Sequence, residues 1–365
     1  MLKTSLELLK KITTKGFEAY IVGGFPRDYY MKKKSLDVDI CTNATPYELS
    51  KIFKGVILPP EKYGSLTIIY KNIRFEITTY RKELRYKNRK PIELEYINDL
   101  ITDLKRRDFT INTLCIDSNG NLFDYLNGKK DIKNKVIKMI GDPELKLKED
   151  ILRLLRALRF ATVLDFKLDS KLKKAIIKKR QLLKTLSGTR KKEELIRIFA
   201  NPNNEYGIKL IKELGLAPYL GFTNFDSLVI TDDILGIWAQ LGVVLIYPFS
   251  KSEKEIIKGI MAVLKEDKID NFTVYKYGLY ITSIAGFIKG IDKKEINEIY
   301  QSLPIKSRNE IVLDVDKICS LVNKKPGPWI KNIYLDIETK ILKGELSNLQ
   351  EVLEDYIIKK IHTLE

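Results

Sequence analysis

Apolar and polar positions change their spacing near residue 143, and the change divides the chain in two. Before it, short runs with strand character are interleaved with short helices. Apolar residues at helical spacing predict an amphipathic helix over 2–15. EAYIVGG (18–24) predicts a strand running into a glycine turn, followed by a short helix to about Lys33 and a strand LDVDICT over 36–42. ATPYELSKIF (44–53) predicts a helix with Thr45 as N-cap and Pro46 at the first helical position. Strands are expected over 64–70 and 73–80, joined by Lys71-Asn72. TINTLCID (110–117), the turn at 118–121 and LFDY read as a hairpin-like pair.

After residue 143 the apolar residues recur every three to four positions, as in KEDILRLLRALRFATVL, SKLKKAIIKKRQLLKTL, KKEELIRIFAN and YGIKLIKELG. Strand signals nearly vanish. The fold class expected is therefore α+β: a head with a small mixed β-sheet, then an all-α remainder. Weak breaks at Asn201-Pro202 and around Gly290 suggest divisions within the helical part, with no regular repeat or low-complexity linker.

Composition narrows the chemistry. With 365 residues, 44% hydrophobic and 31% charged, the chain reads as soluble and globular, with room for two or three domains. No apolar run reaches membrane-spanning length, and the N-terminus lacks the continuous apolar core of a signal peptide, so a cytoplasmic protein without a membrane partner is expected. Cys41, Cys115 and Cys319 are scattered, which supports neither a disulfide frame nor a zinc site. His362 is the only histidine, which excludes His-dependent triads and a histidine-aspartate phosphohydrolase. The net charge of +17 favours a polyanionic partner, nucleic acid before anionic membrane, although a generally Lys-rich composition would give the same excess.

Four constellations remain. Asp37 and Asp39 are two apart on a predicted strand and so point to one face, where paired carboxylates can hold divalent metal for phosphoryl or nucleotidyl transfer. Glu76 offers a third carboxylate. Alone, the pair is a weak signal and more often a solvated strand end. Gly23-Gly24, with Arg27 and Asp28 behind it, suits a phosphate at a helix start or an ordinary tight turn; no Walker-type loop is present. Arg106, Arg107 and Asp108 suit a nucleotide, guanidinium to phosphate and carboxylate to ribose, or a basic surface corner. Glu149, Asp150 and Arg153 lie on one predicted helix. Asp150 and Arg153 share a flank at i, i+3, as a site or as a structural salt bridge.

In this order the pieces resemble the class II tRNA nucleotidyltransferases and the related bacterial poly(A) polymerases. VGGFPRD (22–28) with LDVDICTNATP (36–46) is similar to the family's first motif, and DLKRRDFTINTLCID (103–117) to its ribose motif. Residues 124–161 resemble its head-to-neck junction, with Glu149, Asp150 and Arg153 in the place of the base motif. SGTRKKEELIRIF (187–199) resembles its last neck motif. KKPGPWI (324–330) and KILKGELSN (340–348) resemble the tail of CCA-adding enzymes from low-GC Gram-positive bacteria. Departures are Pro26 for valine, Tyr30-Met31 for Leu-Gly, Lys146 for arginine and Thr189 for glutamate.

The resemblance implies a head over 1–142, a neck over 143–200, a body over 201–290 and a tRNA-binding tail over 291–365. It implies catalysis by Asp37, Asp39 and Glu76, with Mg²⁺ on the two aspartates. It also implies nucleotide binding by Gly23, Gly24, Arg27, Arg106, Arg107, Asp108, Asn112, Glu149, Asp150, Arg153 and Arg156. The implied partners are CTP, ATP and the acceptor arm and 3′ end of tRNA. Base chemistry gives the same reading of the fourth constellation. Cytosine and adenine each present an amine donor beside a ring-nitrogen acceptor, and guanine and uracil present the reverse. A fixed carboxylate (Asp150) beside a fixed guanidinium (Arg153, held by Glu149) would accept the first two and reject the others. The expected activity is addition of C, C and A to tRNA. A-only or CC-only addition, poly(A) synthesis and a non-catalytic tRNA-binding protein are the rivals. RKELRYKNRKP (81–91) is expected to be a mobile loop that disfavours CC-only addition.

Overall fold

A computed structural model describes residues 1–35, 37–53, 64–87 and 90–362, in two compact units divided between Gly221 and Phe222. The first unit opens with helix α1 (Leu2–Thr13), strand β1 (Ala19–Val22), helix α2 (Gly24–Tyr30), strand β2 (Asp39–Thr42) and helix α3 (Pro46–Ile52). Thr45 caps α3 in a reciprocal capping box with Glu48, and Pro46 takes the first turn, as expected. Strands β3 (Ser65–Tyr70) and β4 (Ile73–Thr79) are joined through Lys71 and Asn72. Both turn residues have positive φ, 49° and 60°, the backbone twist that a two-residue hairpin requires.

Next come strands β5 (Arg81–Lys87) and β6 (Lys90–Tyr96), helix α4 (Leu100–Lys105), strands β7 (Cys115–Ile116) and β8 (Leu122–Phe123), helix α5 (Gly128–Lys133) and strand β9 (Val136–Ile137). The main sheet has the order β3-β4-β2-β1-β7-β8, with β2 and β4 parallel and the other pairs antiparallel. Strand alternation sorts its core onto two faces. Leu8, Leu9 and Ile12 of α1 and Leu49 of α3 cover Ile21, Ile40 and Ile77 on one face. Val22, Cys41 and Cys115 turn to the other, with Leu100 and Leu104 of α4. Asp39, two residues before Cys41, belongs to this second face.

The unit continues with helices α6 (Pro143–Glu149) and α7 (Leu152–Leu164), strand β10 (Lys167–Leu168), which pairs in parallel with β9, and helices α8 (Ser170–Lys179), α9 (Gly188–Phe199), α10 (Asn204–Glu213) and α11 (Ala217–Leu220). The second unit is helical: α12 (Ile234–Gln240), α13 (Lys251–Lys265), α14 (Asn271–Ile288), α15 (Lys293–Ser302), α16 (Val315–Val322), α17 (Trp329–Leu342) and α18 (Gln350–His362). α14 breaks at Gly278, whose φ of 75° and ψ of 164° lie outside helical space. Buried Glu338 ties α14 to α17, accepting from the Tyr275 hydroxyl at 2.9 Å and from Arg308 Nε and Nη2 at 2.7 and 3.0 Å. No described helix is long and apolar enough to cross a membrane.

Four expectations are corrected. The strand expected over 36–42 begins only at Asp39. The strand expected over 110–117 is a 3₁₀ turn at Thr110–Asn112 followed by the two residues of β7. Local bonds there replace a ladder: the Thr113 N–H and Oγ1 both donate to the Thr110 carbonyl, and the Thr110 N–H donates to the Lys138 carbonyl. The single helix over Glu149 and Arg153 is broken at Asp150 and Ile151. The segment expected as a mobile loop is a β5–β6 hairpin with irregular register between Glu83 and Tyr86; residues 88–89 fall outside the described set.

Candidate active site

Register brings the first two carboxylates together. β2 and β4 run in parallel with Asp39 opposite Glu76, while antiparallel β1 sets Val22 opposite Asp39. The turn after β1 therefore passes directly beside the Asp39 side chain. Gly23 sits there with φ of 80°, and a Cβ at this position would lie 2.9 Å from Asp39 Oδ2. Only glycine satisfies both the backbone angle and the approach. Gly24 is under no such constraint, because a Cβ there would meet only Arg27 Nη2, at 3.5 Å.

Asp37 precedes β2 in irregular chain, so strand alternation does not place it on the Asp39 face. Both aspartates nevertheless line one cavity of about 540 Å³. Every nucleotide-binding candidate lines it except Glu149, and Glu76 does not. A second cavity, of about 480 Å³, is lined by Glu76, Ser65 and Arg81. It shares Asp39, Arg106 and Arg107 with the first. Burial, then Glu76, and more weakly Asp37 push the Asp39 carboxyl above its ordinary range, against the opposing charge of Arg107.

Among the described residues no three acidic, cysteine or histidine side chains converge as a ready-made metal cage. Two carboxylates, those of Asp37 and Asp39, instead line the arginine-rich cavity, a donor set that fits a divalent cation completing its shell with water and phosphate.

The arginines are held by acids and amides. Buried Arg27 donates from Nε to Asp28 Oδ1 at 2.9 Å and from Nη1 to Asn112 Oδ1 at 2.8 Å. Asn112 donates through Nδ2 to Asp108 Oδ1 at 3.3 Å, and Arg156 Nε donates to Asp108 Oδ2 at 2.7 Å. Burial would raise the Asp108 carboxyl, but Arg156, Asn112 and the Phe109 N–H outweigh it and leave it below the usual carboxylate range. The guanidiniums of Arg27, Arg156 and Arg159 stand 5.4, 5.5 and 4.4 Å from the centre of the Phe160 ring.

The break between α6 and α7 shapes the third wall. Asp150 is extended, at φ −148° and ψ 106°, and its Oδ1 accepts the Leu152 N–H at 3.0 Å, a donor freed at the start of α7. Arg153, in the first turn of α7, donates from Nη1 to Glu149 Oε2 at 2.7 Å and to the Lys146 carbonyl at 2.9 Å. Lys146 Nζ reaches the same Glu149 oxygen at 3.1 Å. Burial works against the Glu149 charge, yet its Arg153 and Lys146 hydrogen bonds leave its pKa lowered. Glu149 thus holds Arg153 from behind while Asp150 and Arg153 line the cavity.

Sequence reading missed Arg159 and Phe160 on the cavity lining, and Asp103 and Glu194 behind it. Arg159 Nε stands 2.8 Å from the buried Glu194 Oε2, and burial pulls the Arg159 pKa down to about 10. The periodic signal was available for Arg159, which follows Arg153 and Arg156 at intervals of three along α7. Asp103 and Glu194 carried no such signal, since buried acids are recognised only by their partners.

Comparison with known proteins gives the family and the fold. The model described as the poly(A) polymerase head domain matches residues 19–138, that of the probable RNA- and SrmB-binding site of polymerase A matches 165–221, and that of a putative tRNA nucleotidyltransferase domain 2 matches 246–357. The CCA-adding enzyme of Staphylococcus epidermidis is 32% identical, covering 96% of this chain and 96% of its own. The chain belongs to the CCA-adding enzymes. The family member from Bacillus subtilis is also 32% identical, with 97% of each chain covered. The family are nucleotidyltransferases, and so is this chain. The fold of the family is shared as well. The Bacillus stearothermophilus CCA-adding enzyme in complex with CTP superposes with a TM-score of 0.81 at 24% identity, over 99% of this chain and 98% of the other. The Thermotoga maritima CCA-adding enzyme complexed with tRNA gives 0.71 at 22% identity, over 99% and 95%.

Proposed function

We propose that this chain adds C, C and A to the 3′ end of tRNA from CTP and ATP, releasing pyrophosphate, with one cavity serving all three additions. The single observation that carries the reading is Arg153 held by Glu149 beside Asp150 on a cavity that also contains Asp37 and Asp39. The Asp150 carboxylate accepts from the exocyclic amine of cytosine or adenine, and Arg153 donates to the adjacent ring nitrogen. Guanine and uracil present the opposite pattern to both groups. Arg27, Arg156 and Arg159 supply positive charge for the triphosphate.

Mg²⁺ on Asp37 and Asp39 would supply the electrostatic stabilisation that an in-line displacement needs. Glu76 would support Asp39 across the strand pair. The tRNA 3′-hydroxyl attacks the α-phosphate as pyrophosphate leaves. The chain works as head (1–142), neck (143–200), body (201–290) and tail (291–365), with the basic helical portion holding tRNA through phosphates, so binding weakens with salt. Its substrates, tRNA, CTP and ATP, put the reaction in the cytoplasm.

The test uses tRNA lacking three terminal nucleotides, lacking only the last, or complete, with single and mixed nucleotides. Extension of the first by three residues, of the second by one and of the third by none supports the reading. Extension of the second alone would indicate A-only addition, a halt after two residues CC-only addition, and a long adenosine tract poly(A) synthesis.

A further inference from the structure

Arg106 and Arg107 line both cavities that meet at Asp39. Such a location poses a physical problem. A guanidinium close to a metal-binding carboxylate can pair with that carboxylate directly, and then competes with the cation. Arg107 does not do this: its ion pair is with Asp103, Nη2 to Oδ2 at 3.1 Å. Asp103 lies on α4 and is completely buried. Its Oδ1 accepts from Arg106 Nε at 2.8 Å and from the backbone N–H of Arg81, the first residue of β5, at 3.2 Å. Burying a carboxylate this deeply is costly unless it is paired and hydrogen-bonded, as Asp103 is. Arg107 Nε is also buried and has no hydrogen-bond partner among the described residues, so Asp103 is the group that fixes this guanidinium.

We propose that Asp103 is a positioning residue that holds Arg106 and Arg107 for the incoming nucleotide, keeps Arg107 off Asp39, and fixes the base of the β5–β6 hairpin to the same point. The proposal rests on the nucleotide-binding reading of the cavity. Asp103 touches neither nucleotide nor metal; it acts through the arginines. Without its charge, Arg107 turns to Asp39 and Glu76, the carboxylates that line the second cavity with it. Two properties then change together, nucleotide affinity and divalent-cation affinity. A residue needed only for folding would change neither in a variant that still folds.

The experiment compares the full-length protein with Asp103→Asn, which keeps side-chain size and removes the charge. Mn²⁺ binding is measured without nucleotide by electron paramagnetic resonance, KM and kcat for CTP and ATP by tRNA extension, and folding by circular dichroism. In the folded variant KM should rise about tenfold for both nucleotides, the worth of one charge-assisted hydrogen bond, with kcat falling less. Mn²⁺ binding should weaken by a similar factor. Adding Arg107→Gln to the variant should restore Mn²⁺ binding towards the parent value, because the competing guanidinium is gone. Parent-like KM and Mn²⁺ binding in folded Asp103→Asn, or no recovery in the double variant, would overturn the proposal. If Asp103→Asn does not fold, Asp103→Glu keeps the charge but displaces the arginines. Raised KM values in that variant support the assignment and unchanged ones overturn it. A parent protein that extends no tRNA would sink the proposed function instead, and the Mn²⁺ measurements would still decide the role of Asp103.

Discussion

Asp39 on β2 and Glu76 on β4 are register partners across a parallel strand pair, thirty-seven positions apart in the chain. The pairing puts Glu76 beside the principal candidate metal ligand without making it part of the Asp37 cavity. The expected consequence is a ranking. Asp39→Ala and Asp37→Ala should each lower incorporation of CTP and ATP alike, by roughly a hundredfold to a thousandfold or more. Glu76→Gln should cost less. Gel-shift affinity for tRNA should stay close to that of the parent in all three, since phosphate contacts dominate binding. Near-normal turnover by either aspartate variant at saturating Mg²⁺ would remove it from the metal site.

Gly23 and Gly24 should separate cleanly. Gly23→Ala forces a side chain into positive φ and into Asp39 Oδ2, so it should cost about 1–3 kcal/mol in denaturant unfolding and most of the activity. Gly24→Ala meets only ordinary contact distances and should leave the unfolding free energy nearly unchanged. Equal behaviour of the two variants would show that the approach to Asp39 is not what the turn is built for.

Much of this site was legible in the sequence, for identifiable reasons. Thr45-Pro46 and the Lys71-Asn72 turn are local signals, and local chemistry set them. Glu149 holding Arg153 was legible because both residues are charged and four apart. The break at Asp150 was not, because its carboxylate takes the Leu152 N–H, a donor that a continuous helix would pair with the Lys148 carbonyl. The pattern of 110–117 suggested a strand, but the Thr113 hydroxyl and N–H both donate to the Thr110 carbonyl, while the Thr110 hydroxyl is held by the Asp131 side chain of α5. Asp37 was placed by alternation on a strand that starts two residues later. Charge density suggested a loop at 81–91, yet alternate residues on a two-stranded ribbon tolerate charge as readily as a loop does.

The hairpin gives a prediction of its own. Replacing the outer part of β5 and β6 by a tight turn should spare the addition of two cytidines and selectively slow addition of the final adenosine, which needs a larger base in the same cavity. Gel-resolved extension with CTP and ATP together should show products accumulating after the second cytidine. Equal slowing of all steps would reduce the ribbon to a spacer.

Asp108 sets a pH dependence. Its folded-state pKa lies below the unfolded value near 3.8, so its pairing stabilises the fold above that pH and is lost as pH falls through the folded value. At pH 7, Asp108→Asn should be less stable than the parent by about 2–3 kcal/mol, given that Arg156 is partly exposed. The gap should narrow steadily as denaturant titrations move below about pH 4. A gap that is constant down to pH 2 would mean the carboxylate charge is not what the pairing uses.

The central claim is that one carboxylate and one guanidinium choose the base. The most direct measurement is the ratio of incorporation efficiencies, CTP over UTP and ATP over GTP, on tRNA lacking the relevant nucleotides, for the parent and for Arg153→Ala. Loss of the donor removes about 1.5–3 kcal/mol of charge-assisted discrimination, so both ratios should fall by roughly tenfold to a hundredfold. Metal dependence should stay unchanged. Ratios that stay at the parent values, whatever happens to the absolute rates, would show that Arg153 is only a structural partner of Glu149 and that base choice lies elsewhere.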